Sequence, residues 1–258
     1  MSQNSLTAPF ADKKRLGLLD SVRGICVAGM ILYHTLFDVL YFFGISVSPA
    51  AATGINLVRD LGAALFILMS GFTFRLGSHR ICHAVVTGAG GLVITLVTYI
   101  AARDMTVIFG ILSFMCVAGV FACLTDRILS RLYQPGGAFV CLFLFFLFLS
   151  VNYGYIGYGS FALYFFPSAL YKNMFTAFLG FPFPGFVSGD YFGFLPWIFA
   201  YLTGYFLFGS VYGSDKFTRL SHLRIPVAEK LGKYSLYIYL GHQPVIYGTV
   251  YALSRLIK

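Results

Sequence analysis

Charge is what this 258-residue chain has least of: 10% of its positions are Asp, Glu, Lys or Arg, and only nine of those are acids. A charge density this low excludes an ordinary water-soluble domain. Its five cysteines show no metal-ligand spacing. Cys26, Cys116, Cys123 and Cys141 fall inside apolar runs and Cys82 at the edge of one, as small apolar packing residues would, and no metal centre is expected. No internal repeat is visible, which argues against a transporter assembled from two repeat halves. No small-residue cleavage site ends the first apolar run, so that run reads as a retained span and residues 1–15 as a short polar lead-in.

What is present is hydrophobicity. Apolar residues make up 59% of the chain and mean hydropathy is +0.81, the composition of a polytopic membrane protein. The net charge of +9 does not point to nucleic acid, because the basic residues lie between apolar runs, where the positive-inside rule places them. Windows of about 20 apolar residues give seven spans: Leu16 to Phe43, Leu57 to Leu76, Cys82 to Ala101, Val107 to Leu124, Gly137 to Val151, Tyr191 to Tyr212 and Gly232 to Leu253. With the N-terminus in the cytoplasm, thirteen Lys and Arg lie inside and five outside, which fixes the expected orientation. The expected fold is thus an all-α transmembrane helix bundle in a single domain covering residues 1–258. It is interrupted at 152–190 by an aromatic stretch broken by Gly154, Gly157, Gly159, Pro167, Pro182, Pro184 and Gly185. Lipid does not tolerate irregular backbone, so that stretch is expected as an outer lid or re-entrant segment packed on protein.

The first span carries four ionisable groups, Asp20, Arg23, His34 and Asp38. Ionisable residues inside a bilayer are costly and mark functional sites. At about 100° per residue, the eleven steps from Arg23 to His34 return to within roughly 20° of the same direction. Asp38 follows one turn later, where a carboxylate can orient an imidazole as a general base. With Leu16 near the cytoplasmic edge, Asp20 and Arg23 fall at the inner interface and His34 lies about 27 Å above that edge. The last span adds His242, Gln243 and Pro244; ten residues from Gly232 put His242 about 15 Å above the cytoplasmic start. Arg59–Asp60 reads as an interfacial ion pair and Ser70–Gly71 as small-residue helix packing. Asp190 is a helix cap or a site residue, and Trp197 an interfacial anchor near the outer entrance. These residue types also suit a proton-coupled transporter or flippase, and a non-catalytic membrane partner of a glycan assembly system is a third reading.

Several motifs share an order and spacing with a known family. Leu19-Asp20-Ser21-Val22-Arg23-Gly24, then Tyr33-His34 and Phe37-Asp38, then Phe66-Ile67-Leu68-Met69-Ser70-Gly71, resemble bacterial members of the heparan-alpha-glucosaminide N-acetyltransferase catalytic-domain family. So do Ser188-Gly189-Asp190-Tyr191-Phe192 with Leu195-Pro196-Trp197, and Tyr234-Ser235-Leu236 followed by Ile238-Tyr239-Leu240 and His242-Gln243-Pro244. The spacing of Arg23 and His34 is similar to that of type 3 membrane acyltransferases. The resemblance implies an integral protein of the bacterial cytoplasmic membrane that moves an acetyl group from cytoplasmic acetyl-CoA to a sugar amine or hydroxyl of an extracytoplasmic glycan. Acetyl-CoA enters as a co-substrate, with no permanently bound cofactor, and a homodimer is compatible with the pattern. The implied catalytic residues are His34 and Asp38. Arg23, Asp20, His242 and Gln243 face the donor, while Asp190 and Trp197 lie on the acceptor side. Direct transfer and passage through an acetyl-His34 intermediate both remain open.

Overall fold

The computed structural model describes residues 16–158 and 161–257, with the side chain of Tyr158 left aside. The N-terminal lead-in with Lys13, Lys14 and Arg15, together with Gly159 and Lys258, lies outside them. The described chain is a helix bundle: α1 (Gly17–Phe43), α2 (Pro49–Phe74), α3 (Arg80–Ala101), α4 (Ile111–Leu129), α5 (Gln134–Leu147), α6 (Met174–Leu179), α7 (Phe194–Val211), α8 (Asp215–Ser221), α9 (Pro226–Lys233) and α10 (Ser235–Ile257). Six stretches are long and apolar enough to cross a membrane: α1 to α4, Gln134–Tyr153 and α7. The expected seventh span, α10, has spanning length at 23 residues. Its tyrosines, His242, Gln243 and Pro244 make it more polar than the six.

The centre of the bundle is α7, which buries Trp197, Ile198, Tyr201, Tyr205 and Phe206 among α2, α4 and α5. Helices in a bilayer gain little from hydrophobicity and associate by close packing, so small residues set the seams. A side chain on Gly71 of α2 would run into the Tyr201 carbonyl of α7, and one on Gly204 of α7 into the Leu68 carbonyl of α2. That fulfils the packing role read for Ser70–Gly71. Gly24 of α1 and Gly232 of α9 form a similar crossing against Ala228 and Asp20.

Two departures from the expected boundaries shape the interior. The sequence places the fourth span at Val107 and the sixth at Tyr191, but α4 starts at Ile111 and α7 at Phe194. The preceding residues leave the helical path and bind each other: Gly189 N–H donates to Thr106 O (3.2 Å) and Phe192 N–H to Phe109 O (2.8 Å). Ser188 Oγ accepts from Ile108 N–H (2.9 Å) and donates to Ile108 O (2.9 Å). The two segments thus satisfy backbone groups in each other, as burial requires. Gly91 of α3 abuts Ser113 of α4. Counting outward from that contact, α4 begins about 12 Å below the end of α3 at 1.5 Å per residue. The space this leaves at the end of the bundle where α1 terminates, the distal end, is taken by residues 102–110 and 188–193.

The broken segment 152–190 covers this end with little helix. An antiparallel hairpin, β1 (Tyr155–Tyr158) with β2 (Phe161–Phe165), pairs Tyr155 with Phe165 and carries a bulge between Ile156 and Gly157. The six-residue α6 follows, closed by a capping box between Asn173 and Thr176.

Candidate functional site

Four parts of the chain meet below the distal end. From α1 come Tyr33, His34 and Asp38, from α2 Arg59, from α10 Tyr239, His242 and Gln243, and from the segment before α7 comes Asp190. The His34 and His242 rings face each other with centroids 5.0 Å apart and planes inclined by 57°. This alters the depth read for His242. Gly232 packs against Asp20, and the fourteen residues of α1 from Asp20 to His34 rise about 21 Å, where ten residues of unbroken helix from Gly232 would rise about 15 Å.

Asp38 is 3% exposed, and a buried carboxylate must be paired. Its partner is Gln243, whose Nε2 donates to both carboxylate oxygens at 3.4 and 3.3 Å. No hydrogen bond joins Asp38 to His34 among the described residues. The i,i+4 spacing puts the two residues on one side of α1, but α10 covers that side and presents an amide to the carboxylate. His242 is the histidine with a fixed ring. Its Nδ1 lies 2.6 Å from the Tyr239 carbonyl oxygen, which can only accept, so Nδ1 carries the proton. His242 Nε2 and Gln243 Oε1 are both buried without a hydrogen-bond partner.

Asp190 joins the two expected alternatives, cap and site residue. Its Oδ2 accepts from Ile111 N–H at the start of α4 (3.3 Å) and from Tyr239 Oη (3.1 Å). Burial raises its carboxyl above the usual carboxylate range, opposed by those two hydrogen bonds and by the Arg59 charge. Nearby Phe109 is held at φ 56°, a strained conformation for a bulky side chain of the kind that clusters at functional sites.

Arg59 was read only as half of an ion pair. It does bind Asp60 (2.8 Å), but it also donates to Tyr33 Oη (3.4 Å), and its charge acts on both His34 and Asp190. Tyr239 went unread as a site residue; its one signal was its position three residues before His242, on the same helix face. Trp197 is 7% exposed and packs in the core on Phe145 (5.6 Å) and Phe192 (4.7 Å). The interfacial reading is thereby corrected: α7 is the central helix, and its first turn is already enclosed by α5 and the 188–192 segment.

At the opposite, proximal end, Arg23 pairs with Asp20 (3.4 Å) and donates to Thr73 Oγ1 in the last turn of α2 (3.1 Å). Eleven residues of α1, about 16 Å, separate this pair from His34.

Residues 15–244 match the family described as heparan-alpha-glucosaminide N-acetyltransferase, catalytic. The chain belongs to this family. No curated protein and no solved structure matches it. The matched range runs from before Asp20 to Pro244 and so contains every residue of both polar clusters. Membership implies a membrane acetyltransferase.

Proposed function

We propose that the chain transfers an acetyl group from acetyl-CoA to a sugar amine or hydroxyl of a glycan on the far side of the membrane, with His34 as general base. The observation that carries this is the pairing of two imidazoles from α1 and α10 inside the membrane part of the bundle, between the Asp190 end and the Arg23 end. The excess of Lys and Arg at the proximal end supports a cytoplasmic placement of that end, which is where acetyl-CoA is available. Arg23 suits a phosphate of the donor, Asp20 holds the guanidinium, and the acyl arm runs along the face of α1 that leads to His34. The acceptor approaches from the distal end beside Asp190.

In the reaction His34 takes the proton of the amine or hydroxyl as that group attacks the thioester carbonyl. The new C–N or C–O bond forms, the C–S bond breaks, and the departing CoA thiolate recovers the proton from His34. His242 and Gln243 line the same space from α10.

The test uses protein purified in detergent, with CoA release from acetyl-CoA measured in the presence of glucosamine. Wild type releases CoA, His34→Ala lowers kcat at least 100-fold, and Arg23→Ala raises the KM for acetyl-CoA while leaving His34-dependent turnover in place. Equal CoA release by wild type and His34→Ala would overturn the catalytic assignment. A wild type that consumes no thioester would leave the transporter reading standing.

A further inference from the structure

Two of the buried side-chain atoms without a hydrogen-bond partner among the described residues, His242 Nε2 and Gln243 Oε1, lie on consecutive residues, and each is defined by what holds the other end of its side chain. We infer that His242 is the positioning residue for His34: its Nε2 accepts an N–H of His34 as that ring takes the acceptor's proton, the task the sequence suggested for Asp38. This rests on the proposed reaction.

The tautomer is settled by Tyr239. A carbonyl oxygen has no proton to give, so His242 Nδ1 donates to it at 2.6 Å, and Nε2 of the neutral ring is a lone pair. That lone pair is buried and unmatched in the resting protein, a costly arrangement that needs an explanation. The ring packed on that of His242, with centroids 5.0 Å apart, is His34. When His34 takes the acceptor's proton on one nitrogen, its other nitrogen carries the N–H that the ready acceptor can receive, and that hydrogen bond is strongest while His34 is charged. An interaction stronger in the charged state favours the reaction over the resting complex.

The other charged or titratable groups around the pair are engaged elsewhere. Asp38 receives Gln243, which fixes the register of α10 against α1 one residue from His242. Arg59 is held by Asp60 and Tyr33, and Asp190 by Ile111 and Tyr239. Of the two acceptors left open there, His242 Nε2 and Gln243 Oε1, His242 is the one whose ring packs on His34.

The test measures kcat and KM separately in the CoA-release assay with glucosamine, and pairs this with nitrogen NMR of histidine-labelled protein. His242→Phe keeps an aromatic ring without an acceptor. Its kcat is expected to fall about 30-fold, the loss of one hydrogen bond to a charged group, with both KM values within about twofold. His242→Gln restores a side-chain acceptor and recovers most of that loss. Equal loss in the two variants, or a loss confined to KM, overturns the inference. The NMR arm needs no turnover. In wild type the His242 Nε2 resonance is that of an unprotonated ring nitrogen and moves as His34 titrates, and in His34→Ala that movement is absent. Movement that persists in His34→Ala, or a protonated Nε2, overturns it equally. Absence of CoA release in wild type with the NMR coupling intact would refute the acetyl-transfer reading and leave the His34–His242 coupling standing.

Discussion

Adding one methyl group to Gly71 tests how the bundle is held together. An ideal Cβ at Gly71 would lie 2.8 Å from the Tyr201 carbonyl carbon and 3.2 Å from its Cα, and closer still to its oxygen. Carbon atoms pack at about 3.5–4.0 Å, so α2 and α7 must part by roughly 0.7–1.2 Å, and gaps of that size forfeit a quarter to a half of each dispersion contact. The obstructing atoms are backbone, which cannot rotate away. The contacts at risk include Phe72 on Phe208 and Phe74 on Tyr201 and Tyr205. Overpacking of this kind costs about 1–3 kcal/mol, against a gain of about 1 kcal/mol in helix propensity for Gly to Ala. The net expectation is a destabilisation of about 0–2 kcal/mol, where the propensity gain alone would stabilise by about 1 kcal/mol. Gly62, nine residues earlier in the same helix, has nothing within 4 Å of its Cβ position, so Gly62→Ala carries the propensity gain alone. Reversible SDS unfolding of the two variants in mixed micelles measures the difference. If Gly71→Ala and Gly62→Ala shift the midpoint in the same direction by the same amount, the close α2–α7 crossing is wrong.

Two other substitutions probe the polar cluster. Asp38→Asn keeps an oxygen that can accept from Gln243, so CoA release should stay within about threefold of wild type, whereas an orienting carboxylate for a catalytic histidine costs roughly 10⁴-fold when changed to its amide; a loss of that larger size would return Asp38 to His34. Burial holds the Asp190 carboxyl above its ordinary value of 3.8, so the folded protein binds this proton more tightly than the unfolded chain does. The stabilisation that follows is complete below pH 3.8 and is lost as the pH rises through the folded value. Asp190→Asn, which retains an acceptor for Ile111 and Tyr239, should flatten that part of the stability–pH curve; an unchanged slope in SDS unfolding between pH 4 and pH 8 would count against the burial of the charge.

The stripe on α1 was legible because a helix repeats every 3.6 residues, so Arg23, His34 and Asp38 share a side whatever surrounds them. Gly71 was legible as a packing residue for a related reason, since helices in lipid need small side chains where they touch. The starts of α4 and α7 were not, because Val107-Ile108-Phe109 and Tyr191-Phe192 are as apolar as a helix and leave the helical path by binding across to each other's segment. Trp197 looked like an anchor because an indole near a span's end usually is one. Nothing within its own segment shows that α7 is packed among α2, α4 and α5.

By itself the sequence determined that the protein is an all-α membrane bundle, which side of α1 is polar, and how far Arg23 lies from His34. Hydropathy and helical rise are properties of a single segment, so they need no knowledge of its neighbours. Only the tertiary structure decided that Asp38 serves Gln243, a partner 205 residues away, that His34 faces His242, and that Asp190 ties α10 to the start of α4. Those pairings depend on which helices abut and at what height. That is fixed by close packing at the glycine seams and by the need of every buried polar group for a partner.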